Sequence, residues 1–179
     1  MKALIPFALF IDKLNDRVGR FAEWAIFLSC FVSAGNALIR YGFSIGSNAW
    51  LEVQWYMFGA AVMFGASQVL RLNEHVRVDL MYARYSTRVK VYVDLFGTLF
   101  FLVPVCVAMI YYSGPLFVSK FVSGEVSQSA GGLVRWPIFL TMPVGFALIL
   151  LQGISEMIKR AAWLRNEYDM DTHYERPLQ

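Results

Sequence analysis

Charge is scarce in this sequence. Asp, Glu, Lys and Arg make up 16% of its 179 residues, while hydrophobic residues make up 58%. Soluble domains carry about 25% charged and about 45–50% apolar residues, so water is not the main solvent of this chain. Histidine is scarcer still. His75 and His173 are the whole supply, and both lie outside the long apolar runs, which excludes a haem held between two histidines inside a helical bundle. Cys30 and Cys106 each sit alone in an apolar stretch. With no CxxC or Cys/His grouping there is no ligand set for zinc or an iron–sulfur cluster, and both cysteines read as small packing residues. Nucleotide-binding glycine loops, HExxH and GxSxG are also missing. No enzyme activity, cofactor or metal is therefore expected. Nor does any stretch combine dense Lys/Arg with stacking aromatics, so nucleic acid is not an expected partner.

Long apolar runs are what the sequence has in quantity. Four of them cover residues 21–41, 52–71, 91–112 and 136–158. Each comes close to or passes the ~20 residues that cross a hydrocarbon core as a helix. Lipid offers backbone groups no partners, which leaves helices or a closed barrel. These runs are too long and do not alternate as barrel strands do. The fold class expected is an all-α integral membrane protein with four transmembrane helices. Aromatic residues gather near the run ends, with Trp24, Tyr92 and Trp163 on one side and Tyr41, Trp50, Trp55 and Trp136 on the other, as interfacial belts do.

Orientation follows from Lys and Arg. Of the 16, all but Arg40, Lys120 and Arg135 lie before the first run, between the second and third, or after the fourth. The positive-inside rule then places both termini and the 72–90 loop in the cytoplasm and the 113–135 loop in the periplasm. The expected location is a bacterial inner membrane, with the lipid bilayer itself as a partner. Residues 1–20 read as a separate amphipathic helix lying in the inner interface, with Leu4, Phe7, Ile11, Leu14 and Val18 on one face. Gly114-Pro115 and Gly131-Gly132 read as turns in the outer loop, and 159–179 as a cytoplasmic tail. Pro104 is expected to kink the third helix.

Polar residues within or beside the runs are candidates for function, but most have a structural reading. Lys90 stands four residues from Asp94, Arg160 four from Glu156 and Arg20 three from Glu23, so local ion pairs are available. Glu52 has no such neighbour, and Arg40 across the short outer loop is its expected partner. Gln54, Gln68 and Gln152 suit hydrogen bonds between helices. Ser29, Ser33 and Ala37, and likewise Ala61 and Gly65, recur every fourth residue, a spacing that lets helices approach closely.

One set of motifs goes further. Trp50-Leu51-Glu52-Val53-Gln54-Trp55, then Gly59-Ala60-Ala61, then His75-Val76-Arg77-Val78-Asp79 resembles the small, Q-type membrane subunit of tripartite ATP-independent periplasmic (TRAP) transporters. Glu125-Val126-Ser127, Trp136-Pro137 and Pro143-Val144-Gly145-Phe146 are similar to that family too. Val53 departs from it, standing where some members have a second acidic residue. The resemblance implies a small scaffold subunit of a sodium-coupled importer of an organic acid. It also implies two partners, a large membrane permease subunit and a periplasmic substrate-binding protein. The candidate structural or subunit-interface residues are Glu52, Gly59, Ala61, Gly65, His75, Arg77, Asp79 and Gln152. The inner motif at His75, Arg77 and Asp79 is expected to pin its loop and not to carry protons or sodium. The competing reading is a membrane anchor for a redox enzyme.

Overall fold

The computed structural model describes residues 2–73 and 85–169. Within them the chain is all helix apart from turns and one isolated antiparallel bridge, Val126 to Val134. Four long helices follow one another: α1 (Ile5–Phe43), α2 (Asn48–Leu72), α3 (Thr87–Ser123) and α4 (Trp136–Leu164). A single 3-10 turn, Lys2–Leu4, precedes α1. Left-handed residues stop three of the helices: Ser44 after α1, Asn73 after α2 and Gly124 after α3.

Three helices, α1, α3 and α4, are long and apolar enough to cross a membrane. The second is not among them. At 25 residues it is about 37 Å long, which exceeds a hydrocarbon core of ~30 Å. Its shortfall is in apolarity, which Glu52, Gln54 and Gln68 dilute.

The α4 helix is the hub. It packs against α1, α2 and α3, and α1 packs closely along α2. Glycines set the approach on two sides of α4. A side chain at Gly145 would meet Met63 of α2 at 2.8 Å, and one at Gly153 would meet Leu102 of α3 at 2.7 Å. Between α1 and α2, Ala22, Ala25 and Ala61 form a small buried core with Met57 and Phe64 against it. Apolar residues cover the outside, among them Phe31, Leu38, Phe101 and Val122. That distribution suits a lipid solvent, in which outward apolar surface has no cost.

Two expectations are corrected, the separate N-terminal helix and the Gly114-Pro115 turn. No separate N-terminal helix exists: the chain runs as one helix of 39 residues from Ile5. Its first turns direct apolar Leu4, Phe7, Leu9 and Phe10 outward and a partly polar face inward. They bury Ala8, Ile11, Asp12 and Asn15 and leave Leu4 and Phe7 exposed, because α4 supplies partners for Asp12 and Asn15. The Gly114-Pro115 pair makes no turn, since α3 continues to Ser123. Residues 159–164, read as tail, are the last turns of α4. Pro104, expected to kink the third helix, follows a π-helical turn at Thr98–Leu102. There the Val103 N–H reaches the Thr98 carbonyl, five residues back. The wider turn lies one residue ahead of a proline that has no N–H to give.

Candidate functional site

Two polar assemblies lie at opposite ends of the helices. The inner one joins α1, α3 and α4. Asp12 and Asn15 share a face of α1 because they are three residues apart, and Gln152, Ser155, Glu156 and Lys159 share a face of α4 by the same periodicity. The Gln152 Nε2 donates to Asp12 at 2.9 Å and to Glu156 at 3.2 Å. With its nitrogen committed to two carboxylates, Gln152 must turn its oxygen to Asn15, whose Nδ2 donates to it at 2.7 Å. Lys159 Nζ donates to Asp12 at 2.9 Å and to Glu156 at 2.5 Å. The Ser155 hydroxyl lies 2.8 Å from Asp12 and 3.1 Å from the Ala8 carbonyl. Arg160 bonds Glu156 one turn back and reaches Asp94 of α3 at 3.3 Å. Asn15 and Gln152 are wholly buried, so this network sits inside the helical bundle. One atom is left over: Asn15 Oδ1 has no hydrogen-bond partner among the described residues. Beside the network, Asp16 pairs with Arg71 of α2.

The outer assembly fastens the 124–135 loop to α2. Glu52 accepts from the Ser127 hydroxyl and from the Leu133 N–H at 2.8 Å. The Tyr56 hydroxyl donates to the Val134 carbonyl at 3.1 Å. The loop closes on itself through Ser127 N–H to Leu133 and Arg135 N–H to Glu125, both 2.9 Å. Gly131, at φ 73°, supplies the left-handed residue this reversal requires. Glu125 stands between Lys120 and Arg135, the latter at 2.7 Å. Those hydrogen bonds, Lys120 first, hold the Glu125 carboxyl below its ordinary range. Both cations also lie over the Phe139 ring, at 5.8 and 5.5 Å.

The sequence candidates fall into these assemblies unevenly. Gln152 is the centre of the inner network, and Glu52 is the anchor of the outer one. Arg40 is not the partner of Glu52; the loop brings a hydroxyl and a backbone N–H instead. Ala61 belongs to the α1–α2 core. Gly59 faces Ile138 of α4, at 2.7 Å from where a β-carbon would stand, and Gly65 faces Ala22 of α1 at 3.7 Å. His75, Arg77 and Asp79 lie outside the described residues. Glu156 pairs with Arg160 as its spacing suggests, while Asp94 is met across helices by the same arginine. Sequence reasoning missed Asp12, Asn15, Ser155 and Lys159. The i, i+3/i+4 spacing of polar residues toward the end of α4 was the available signal. Among the described residues no three His, Cys, Asp or Glu side chains gather as a metal site.

The fold and its polar interior define an all-helical, multi-pass membrane protein whose buried ionic groups, among the described residues, join helix to helix. Its family is specific. The model of the family described as tripartite ATP-independent periplasmic transporters, DctQ component, matches residues 30–162. The chain belongs to that family and is a small membrane component of a TRAP transporter. Membership implies association with a large permease and a substrate-binding protein. Searches of curated proteins and of solved structures found no match.

Proposed function

We propose that this chain is the non-transporting scaffold subunit of a sodium-coupled TRAP importer of an organic acid. It crosses a bacterial inner membrane four times, α2 included, with both ends in the cytoplasm. It braces the large permease and offers no solute path of its own. The observation that carries this reading is the inner network: Asp12, Glu156, Lys159 and Arg160 bond to one another between helices, so the charges a coupling ion would need are committed to structure. The family match supports the transporter context. The 124–135 loop, fastened to α2 by Glu52, suits a rigid outer surface. Gly59, Ala61 and Gly65 hold the helices together, and the His75, Arg77 and Asp79 motif pins the 72–90 loop.

The test is reconstitution. Liposomes holding this chain alone should show no sodium-driven uptake of organic acids with the binding protein present. Adding the large permease should restore it. Uptake by the chain alone would sink the scaffold reading. Reporter fusions after Gly124 should report the periplasm and those after Asp171 the cytoplasm; the reverse pattern would overturn the topology.

A further inference from the structure

The inner and outer parts of α3 do not keep one helical phase. Cys106 and Ser113 are buried in the outer part and lie within about 20° of each other around the axis. They mark the side turned to α4, the helix that α3 packs along. Continued inward as an unbroken α-helix, at about 100° per residue, that phase would set Asp94 about 120° from Cys106 and Tyr92 only about 40° from it. The structure has them the other way round. Asp94 meets Arg160 of α4 at 3.3 Å, while Tyr92 is 60% and Phe96 57% exposed. Taking one residue out of the helical count, as a bulge does, accounts for the difference. Asp94 then comes to about 20° from Cys106, Tyr92 goes to about 140° and Phe96 to about 180°. Val91, which is buried, falls at about 40°.

We infer that the π turn at Thr98–Leu102 is a register device that rotates the inner part of α3 so that Asp94 joins the inner network. The Val103 N–H reaches back five residues to the Thr98 carbonyl, one more than in an α-helix. The turn thus absorbs one residue and swings everything inward of it by about 100°. Pro104 fixes where the extra residue sits. In an α-helix its missing N–H would leave the Phe100 carbonyl without a partner, and its ring would press on that turn. The opposite wall of α4 is bare at this level: a β-carbon on Gly153 would stand 2.7 Å from Leu102 and 3.4 Å from Thr98, the two ends of the wide turn. The consequence is a third helix tied to the polar interior. Arg160 bonds Glu156 on its own helix and Asp94 across the gap, a tie that the phase of the outer part of α3 would deny. The same rotation turns Tyr92 and Phe96 away from α4. This inference stands apart from the scaffold reading, since it needs only the contact of α3 with α4.

The experiment uses the full chain in lipid, with Cys30 and Cys106 replaced by Ala. Single nitroxide labels are placed in turn at the positions from Val89 to Tyr112, Pro104 excepted, and the oxygen accessibility of each is read. Two α-periodic waves are expected, offset by about 100° and joined at 98–102. One continuous phase along α3 would overturn the inference. Deleting Phe100, an exposed residue of the turn, should merge the two waves. The label at Tyr92 then turns toward α4 and loses accessibility, while one at Tyr111, in the outer part, keeps its value. Asp94→Asn should lower the thermal midpoint of the undeleted chain and leave that of the deletion chain unchanged. A deletion chain that keeps the offset, or that still loses stability on Asp94→Asn, would refute the register role. If the deletion chain does not fold, the label scan of the undeleted chain decides alone.

Discussion

Replacing Lys159 by Met keeps an unbranched side chain one atom shorter and removes one buried cation. The ammonium serves two carboxylates, Asp12 at 2.9 Å and Glu156 at 2.5 Å, and the three side chains are only 9–11% exposed. Breaking a buried pair from one side costs about 3–5 kcal/mol, because the remaining charge is left uncompensated. Here both carboxylates keep other donors. Asp12 retains Gln152 and Ser155, and Glu156 retains Gln152 and Arg160. The expected loss is therefore at the low end, about 3 kcal/mol. By the scaling of soluble domains of similar size, that lowers the midpoint of thermal unfolding by roughly 6–12 °C. Asp12→Asn in the Lys159→Met background should recover part of the loss, since it removes one stranded charge and leaves an amide that Ser155 still reaches. The assay is a double-mutant cycle on purified protein in detergent, followed by thermal unfolding. Coupling of about 1 kcal/mol or more is expected for groups in direct contact. Additive effects, or a Lys159→Met midpoint equal to wild type, would refute the claim that this network joins α1 to α4.

Three further outcomes follow from the same structure. Gly153→Leu should push α3 from α4, because its β-carbon would stand 2.7 Å from Leu102; a loss of about 1–3 kcal/mol is expected, against little change for Gly97→Ala, which meets nothing within 4 Å. Glu52→Ala should speed hydrogen exchange at the Leu133 amide, which loses its acceptor, while Glu52→Gln, which keeps an oxygen, should speed it less; equal protection in all three proteins would refute the anchor. The Glu125 carboxyl is held below its ordinary 4.5, so its contribution to the outer loop is present above that value and lost as pH falls through its lowered one. A carboxyl titration followed by NMR should find the loop opening only on such acidification, and opening that begins above pH 4.5 would contradict the ion pairs with Lys120 and Arg135.

Solvent and class were legible in the sequence because they depend on composition and run length. Long apolar runs with so little charge exclude a water-borne domain whatever the packing, and the motifs around Glu52, Gly59 and Pro143 were enough to reach the family. The orientation proposed rests on chain position alone, the asymmetric placement of Lys and Arg. Local spacing likewise located the Glu156–Arg160 pair, since i, i+4 neighbours meet wherever the helix lies. Only the tertiary structure decided which polar residues meet across the 137 positions from Asn15 to Gln152. The amphipathic pattern of residues 1–20 has two faces, and nothing local says which will be buried. The carboxylate of Asp12 found its lysine on α4, and that chose the polar face. Glu52 shows the same limit: its sequence neighbourhood offered Arg40, but a backbone N–H brought in by the folded outer loop is its partner. Helix and solvent are set by short-range geometry and composition; pairing is set by which faces the bundle brings together.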